Sequence, residues 1–191
     1  MKKINTKESV LKLLTSDWNK YIGLQKTKNP LIWLAVFFHN PAMLFSLLYR
    51  LINPLIESEI KFIQYLGFVL YVPYFFITYY FLDIHISPWV KIGKGLYIHN
   101  KGVIIADSVV AGDNLTLIGP LTIGVERHLG KADAAVIGDN VIIYSGARII
   151  GKAVIGNNVV IGANAVVLKD IPSNSVVGGV PARIIKRIRN E

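Results

Sequence analysis

From Ile137 onward an aliphatic residue returns at every sixth position, as Ile137, Ile143, Ile149, Ile155, Ile161 and Val167. The fifth place of each hexad is small or branched: Val141, Ala147, Ala153, Val159, Ala165 and Ile171. Upstream, Ile92, Ile105, Ala111 and Leu117 open hexads of the same kind. A six-residue period is too short for a helical-hairpin repeat and matches neither the helical period nor simple strand alternation. It suits a parallel β-helix in which each hexad forms one flat side, the first-place aliphatic points inward, and Gly, Asn or Asp takes the corner. Three hexads then make one coil, and the stacked coils bury a ladder of Ile, Leu and Val whose two ends need caps.

Before Asp83 the pattern changes. Val10, Leu13 and Leu14, then Leu44, Leu47, Leu48 and Leu51, recur at helical spacing, with Pro30, Pro41 and Pro54 as breaks. Ser16 and Asp17 stand where they would cap a short helix carrying Trp18 and Tyr21, and His39 precedes Asn40-Pro41 as a helix-start residue. Aromatic residues concentrate before this boundary and glycines after it. The expected fold is mainly β with an α-helical N-terminal part. Residues 1–83 form the helical region, 84–185 the β-helix and 186–191 a basic tail. The helical region caps one end of the coils and residues 184–188 cap the other.

Composition narrows the function. With 191 residues, 52% hydrophobic and 17% charged, the chain is neither a disordered segment nor a large multidomain assembly. The absence of cysteine removes disulfides, thiolate nucleophiles and cysteine-ligated metals. A net charge of +9 suits nucleic acid, anionic lipid or a phosphate-bearing small molecule. The start lacks the apolar stretch and cleavage site of a secretory signal, so a cytoplasmic location is expected, extending to the inner face of the cell membrane. Residues 65–82 carry no charge and include five tyrosines with Pro73 between them. A packed helical layer, an interfacial contact and a membrane span compete there, and we carry forward a peripheral membrane contact.

The hexads break twice, by one added residue near His99-Asn100-Lys101-Gly102 and by a longer insertion between Gly124 and Ala135. Each break holds a histidine. An imidazole has the right ordinary pKa to take a proton from a hydroxyl, which makes His99 and His128 candidate general bases. Ile98 takes an inward place, so His99 points outward.

The [LIV]-G-x-x-x-x hexads and the closing Val177-Gly178-Gly179-Val180-Pro181-Ala182-Arg183-Ile184-Ile185 resemble the hexapeptide acyltransferases with a left-handed β-helix. Within them the chain looks most like the serine acetyltransferase branch, which also has a helical layer ahead of the coils and a histidine in an early coil. The resemblance implies acetyl-CoA as co-substrate, a homotrimer, and direct attack of an acceptor hydroxyl on the thioester with His99 as catalytic base. It further implies a cofactor groove between subunits. There Ser145, Gly146 and Ala163 are the small residues along the pantetheine arm, and Lys169, Arg183 and Lys186 face the phosphates. His85, Asp83 and His128 are candidate supports for the catalytic step. No metal is expected, since His85, His99 and His128 lack the ligand spacing of the related carbonic anhydrases, and no nucleic-acid partner is expected.

The departures from that branch are specific. Ile98 stands where an aspartate precedes the catalytic histidine, Asp133 and Ala134 stand where an Arg-His pair falls in an equal-length alignment, and His85 stands where an aspartate orients the imidazole. A zwitterionic amino acid would lose partners. The main expectation is therefore acetylation of a sugar hydroxyl in a cell-surface polysaccharide or its precursor, with Tyr97, Asn100, Asn114 and Tyr144 as acceptor-binding residues. Serine acetylation for cysteine biosynthesis, and a non-catalytic β-helix scaffold at the membrane, are the alternatives.

Overall fold

The computed structural model describes residues 9–25, 40–128 and 131–188. The expected roles of His39 and Pro30 lie outside them. The inward positions run in pairs two apart and otherwise repeat at an even step, from Ile84 and Ile86 through Ile161 and Ala165, nearly all fully buried. Two steps are longer. Ile98 to Val103 holds one residue more than Ile92 to Leu96, and Ile123 to Ala135 holds a longer excursion. These are the two breaks read from the sequence.

The result is a β-solenoid of about five turns with three parallel faces. The first face stacks β1 (Ile84–Ile86), β4 (Val103–Ile105), β7 (Leu121–Gly124), β12 (Arg148–Ile150) and β15 (Val166–Val167). The second stacks β2 (Lys91–Ile92), β5 (Val110–Ala111), β10 (Val136–Ile137) and β13 (Val154–Ile155). The third stacks β3 (Tyr97–His99), β6 (Thr116–Ile118), β11 (Ile142–Ile143), β14 (Val159–Ile161) and β16 (Ser175–Gly178). The long insertion is an antiparallel hairpin of β8 (Glu126–His128) and β9 (Lys131–Asp133). β17 (Arg183–Arg187) turns back antiparallel on β16 and closes that face, so Lys186 and Arg187 belong to a strand that runs past residue 185.

The corners follow from backbone chemistry. Asn114, Asn140, Asn158 and Asn174 all have left-handed φ near +60° and fall at one corner of successive coils. Each side-chain amide donates to the next, Asn114 to Asn140 at 2.9 Å, Asn140 to Asn158 at 3.1 Å and Asn158 to Asn174 at 2.9 Å. Asparagine tolerates this φ and its amide can both donate and accept, so a single residue type solves both the turn and the stacking.

Among the described residues three helices precede the coils: α1 (Val10–Gln25), α2 (Pro41–Ile56) and α3 (Lys61–Phe76), the last continued by a π-helical turn Ile77–Phe81. Asn40 caps α2 by accepting from the Ala42 amide at 3.0 Å, with Pro41 at the first position. Pro54 lies inside α2, not at a break. Ser16 and Asp17 do not cap a helix either, because both sit within α1. Asp17 is instead fully buried against Arg50 of α2, Nε to Oδ2 2.9 Å, with Ser46 donating to the same oxygen at 2.7 Å.

The reason is the surface that these helices cover. The first coil presents a row of backbone groups with no neighbouring coil below. Side chains satisfy them in order along the chain. Tyr74 donates to the Ile86 carbonyl (2.6 Å), Asn53 to Pro88 (2.6 Å), Tyr49 to Val90 (2.6 Å) and Arg50 to Ile92 (2.7 Å) and Gly93 (2.6 Å). Lys20 donates to Gly95 (3.0 Å), and Asp17 accepts from the Leu96 amide (2.8 Å). The helical region caps the solenoid as expected, through these hydrogen bonds together with buried apolar side chains such as Met43, Phe45, Ile52 and Ile56.

Candidate active site

His99 ends β3 with its side chain exposed, while Ile98 beside it is fully buried. The chain then turns through Asn100 (φ +71°) and Gly102 (φ +78°), where the extra residue is accommodated. The turn is pinned on both sides. The Gly119 amide donates to the His99 carbonyl at 2.8 Å, and the Gly102 amide donates to Asp83 at 2.8 Å. A Cβ on Gly119 would collide with the Lys101 carbonyl, so glycine is required there for the coils to stack.

Helix α1 holds β3 from beneath. The buried Tyr21 hydroxyl accepts from the Ile98 amide (2.9 Å) and lies 3.3 Å from the Ile98 carbonyl. Its ring packs on Tyr97 at 4.6 Å between centroids. Tyr97 in turn lies along the His99 ring, at 6.1 Å and 15° between planes, with its hydroxyl 3.3 Å from Nδ1. Burial raises the Tyr97 pKa above its ordinary value, which keeps the hydroxyl protonated. The group that meets the imidazole is therefore Tyr97. Asp83 and His85 do not reach it. They pair with each other, Oδ1 to Nε2 3.5 Å, and His85 stacks on Tyr79 at 4.1 Å. Lys20 lies under the same coil with its pKa lowered to about 8, chiefly by desolvation and partly offset by Asp17.

Strand register decides which other candidates share this site. His99 pairs with Ile118 one coil up, and the next positions in that column are Tyr144, Gly162 and Gly178, the last paired with Arg183. Tyr144 stands two strand spacings above His99, about 10 Å, and Arg183 about 24 Å above it. The adjoining corner carries Asn100, Ser145 and Ala163, and the Asn164 amide donates to the Ser145 carbonyl at 3.0 Å, which confirms the one-coil offset. Gly146 has its own structural cause, a φ of +78° under the Asn164 side chain. One edge thus brings together His99, Tyr97, Asn100, Tyr144, Ser145, Gly146, Ala163 and Arg183.

Three other candidates, Asn114, Lys169 and His128, fall elsewhere, while Lys186 stays on this face at its far end. Asn114 belongs to the asparagine ladder at the far end of the face, so its amide is committed to Asn140. Lys169 follows β15, at the corner between the first and second faces. Lys186 pairs with Val176, in the column of Tyr97. His128 ends β8 in the hairpin. Sequence reasoning missed the Asp17–Arg50 pair and the Tyr21 clamp. Arg50 is the lone charge of an apolar helix, and such a residue signals a buried partner.

Comparisons with known proteins bear out the repeat fold. The bacterial transferase hexapeptide family (six repeats) matches residues 134–169. Serine acetyltransferase of Staphylococcus aureus is 44% identical over 113 residues, 58% of this chain and 53% of that protein. The Staphylococcus epidermidis serine acetyltransferase is 44% identical over 110 residues, 56% and 51% respectively. The chain is similar to hexapeptide-repeat transferases, and most of all to the serine acetyltransferases among them. Its matched part spans about half the length of those relatives. Soybean serine acetyltransferase superposes with a TM-score of 0.76 at 25% identity, covering 93% of this chain and 69% of that one. The Neisseria gonorrhoeae enzyme does so at 0.78 and 23%, covering 95% and 67%, a likeness of fold.

These findings overturn the expectation of a sugar hydroxyl and of a role in polysaccharide biosynthesis. Two physical reasons explain the error. The Ile98 side chain points into the solenoid, so a missing carboxylate there says nothing about the outward acceptor site. The equal-length alignment of the insertion also assumed a plain loop, whereas the segment is a hairpin whose register pairs Asp133 with Glu126.

Proposed function

We propose that this chain is an acetyl-CoA-dependent O-acetyltransferase of the serine acetyltransferase branch, whose acceptor is the hydroxyl of L-serine. The observation that carries the reading is His99, outward on the pinned corner of the first coil with a hydroxyl at its Nδ1. The staphylococcal relatives supply the acceptor class by name.

In this mechanism Nδ1–H donates to the Tyr97 oxygen, which leaves the Nε2 lone pair free. Nε2 takes the serine hydroxyl proton as the oxygen attacks the thioester carbonyl, and the imidazolium returns that proton to the departing CoA thiolate. No covalent enzyme intermediate is involved. Acetyl-CoA lies along the edge from His99 past Tyr144, Ser145 and Ala163, with Arg183 toward its phosphates. A homotrimer completes the groove, because a single edge is open on one side.

The test is CoA release from acetyl-CoA with L-serine, alongside the mass of the protein in solution. Serine-dependent release by a trimer is expected. Release that ignores serine, or full activity in a monomer, refutes the corresponding part.

A further inference from the structure

Helix α3 and its π-helical continuation form an apolar segment, Lys61–Leu82, of 22 residues, of which only 22% of the most apolar window is buried. The buried contacts form one narrow stripe of Gly67, Tyr74, Thr78 and Leu82. Gly67 backs directly onto the chain at Leu55 and Ile56, and Tyr74 is bonded to the Ile86 carbonyl. Most of the rest is exposed: Phe62 79%, Tyr65 70%, Val69 67%, Phe76 52%, Tyr80 65% and Phe81 73%, with six further apolar side chains between them. At 100° per residue the exposed apolar positions sweep about two-thirds of the helix circumference. Twelve such side chains expose on the order of 1,000 Å² of apolar surface, more than the largest patch of an ordinary soluble monomer.

We infer that this helix lies in the plane of a lipid bilayer and anchors the protein to the membrane interface. Three features select the occupant. A single facing protein helix covers a stripe of roughly 100°, while acyl chains and headgroups wrap a convex surface of any width. The segment is long enough to span, but its lengthwise docking on α2 and the first coil fixes it along the protein, and spanning would strip Tyr74 and Gly67 from their contacts. Tyr65, Tyr79 and Tyr80, with the partly exposed Trp89 packed edge-on against Tyr71 at 5.3 Å, are amphipathic rings of the kind that settle at headgroup level. The net charge of +9 favours an anionic leaflet. This inference does not depend on the acceptor proposed above.

The experiment is co-sedimentation of the full chain with vesicles of phosphatidylcholine alone and of phosphatidylcholine with phosphatidylglycerol, for wild type and for the quadruple variant Phe62→Ser, Val69→Ser, Phe76→Ser, Tyr80→Ser. Sedimentation velocity without lipid is run in parallel. The four sites are exposed, so circular dichroism of the variant should match wild type. The single variant Phe81→Ser provides a second, milder test. Wild type is expected to bind, more tightly to anionic vesicles, and the quadruple variant at least ~100-fold more weakly with an unchanged oligomeric state. Phe81→Ser is expected to weaken binding several-fold. Failure of wild type to bind, equal binding by the quadruple variant, or a variant that loses subunits because a second copy covers this face would each overturn the inference.

Discussion

Replacing Arg50 with alanine tests how the first coil, and with it the strand that carries His99, is held. Arg50 is 3% exposed and Asp17 is 0% exposed. The substitution removes the Nε and Nη2 contacts to the Asp17 carboxylate at 2.9 and 3.2 Å and the donors to the Ile92 and Gly93 carbonyls. Asp17 would keep only Ser46 and the Leu96 amide, leaving a buried charge without its counter-ion. Breaking such a pair typically costs about 3–5 kcal/mol, a large part of the ~5–15 kcal/mol that holds a domain folded. We expect Arg50→Ala to lose about 4 kcal/mol in urea denaturation at constant slope, and amide exchange at Leu96 and Ile98 to speed up. The double variant Asp17→Leu, Arg50→Met removes both charges together and should be less destabilised than the sum of its single changes by at least ~2 kcal/mol. A loss below about 1 kcal/mol for Arg50→Ala, or additive single changes, would refute the account of the cap.

Tyr97→Phe removes the hydroxyl at His99 Nδ1 while keeping the ring stack. It should lower kcat about tenfold with little change in KM for acetyl-CoA and move the acidic limb of the pH–rate profile, whereas an unchanged profile would show that the hydroxyl does not orient the imidazole. Lys20 has a folded pKa of about 8 against its ordinary 10.5, so the unfolded chain binds more protons between these values and folding stability should rise with pH over that range. The rise should reverse above about pH 10, where burial keeps the Tyr21 and Tyr49 hydroxyls protonated only in the folded state. Urea midpoints measured from pH 7.5 to 9.5 should therefore climb for wild type and flatten in Lys20→Met. Asn140→Ala cuts the asparagine ladder between Asn114 and Asn158 and puts a poorly tolerated residue at φ +56°, so it should cost about 1–3 kcal/mol in the same assay.

The solenoid was legible because its repeat leaves little freedom. Inward pairs such as Ile137 and Ile143 have one arrangement that buries them, and the two breaks could be seen as interruptions of that spacing. The outward placement of His99 followed from the inward placement of Ile98. The helical cap was less legible. Leu44, Leu47, Leu48 and Leu51 marked an apolar stripe, yet Leu51 is half exposed while Ser46, Tyr49 and Arg50 are buried. Reading amphipathicity finds only the oily side of a helix, and α2 does bury Met43, Phe45 and Ile52, but the coil edge it covers also has open carbonyls that call for donors. The same limit hid Tyr21. Partners such as Tyr97 and His99 are adjacent in sequence on one strand face, but only α1 pressing on the Tyr97 ring aligns them.

The most direct test of the central claim is steady-state acetyl transfer to L-serine by wild type and His99→Ala, with His128→Ala as a control in the hairpin. The account predicts serine-dependent CoA release by wild type, a loss of roughly 10²–10⁴ in kcat for His99→Ala with CoA affinity nearly intact, and a smaller loss for His128→Ala. Activity of His99→Ala within a few-fold of wild type would contradict it.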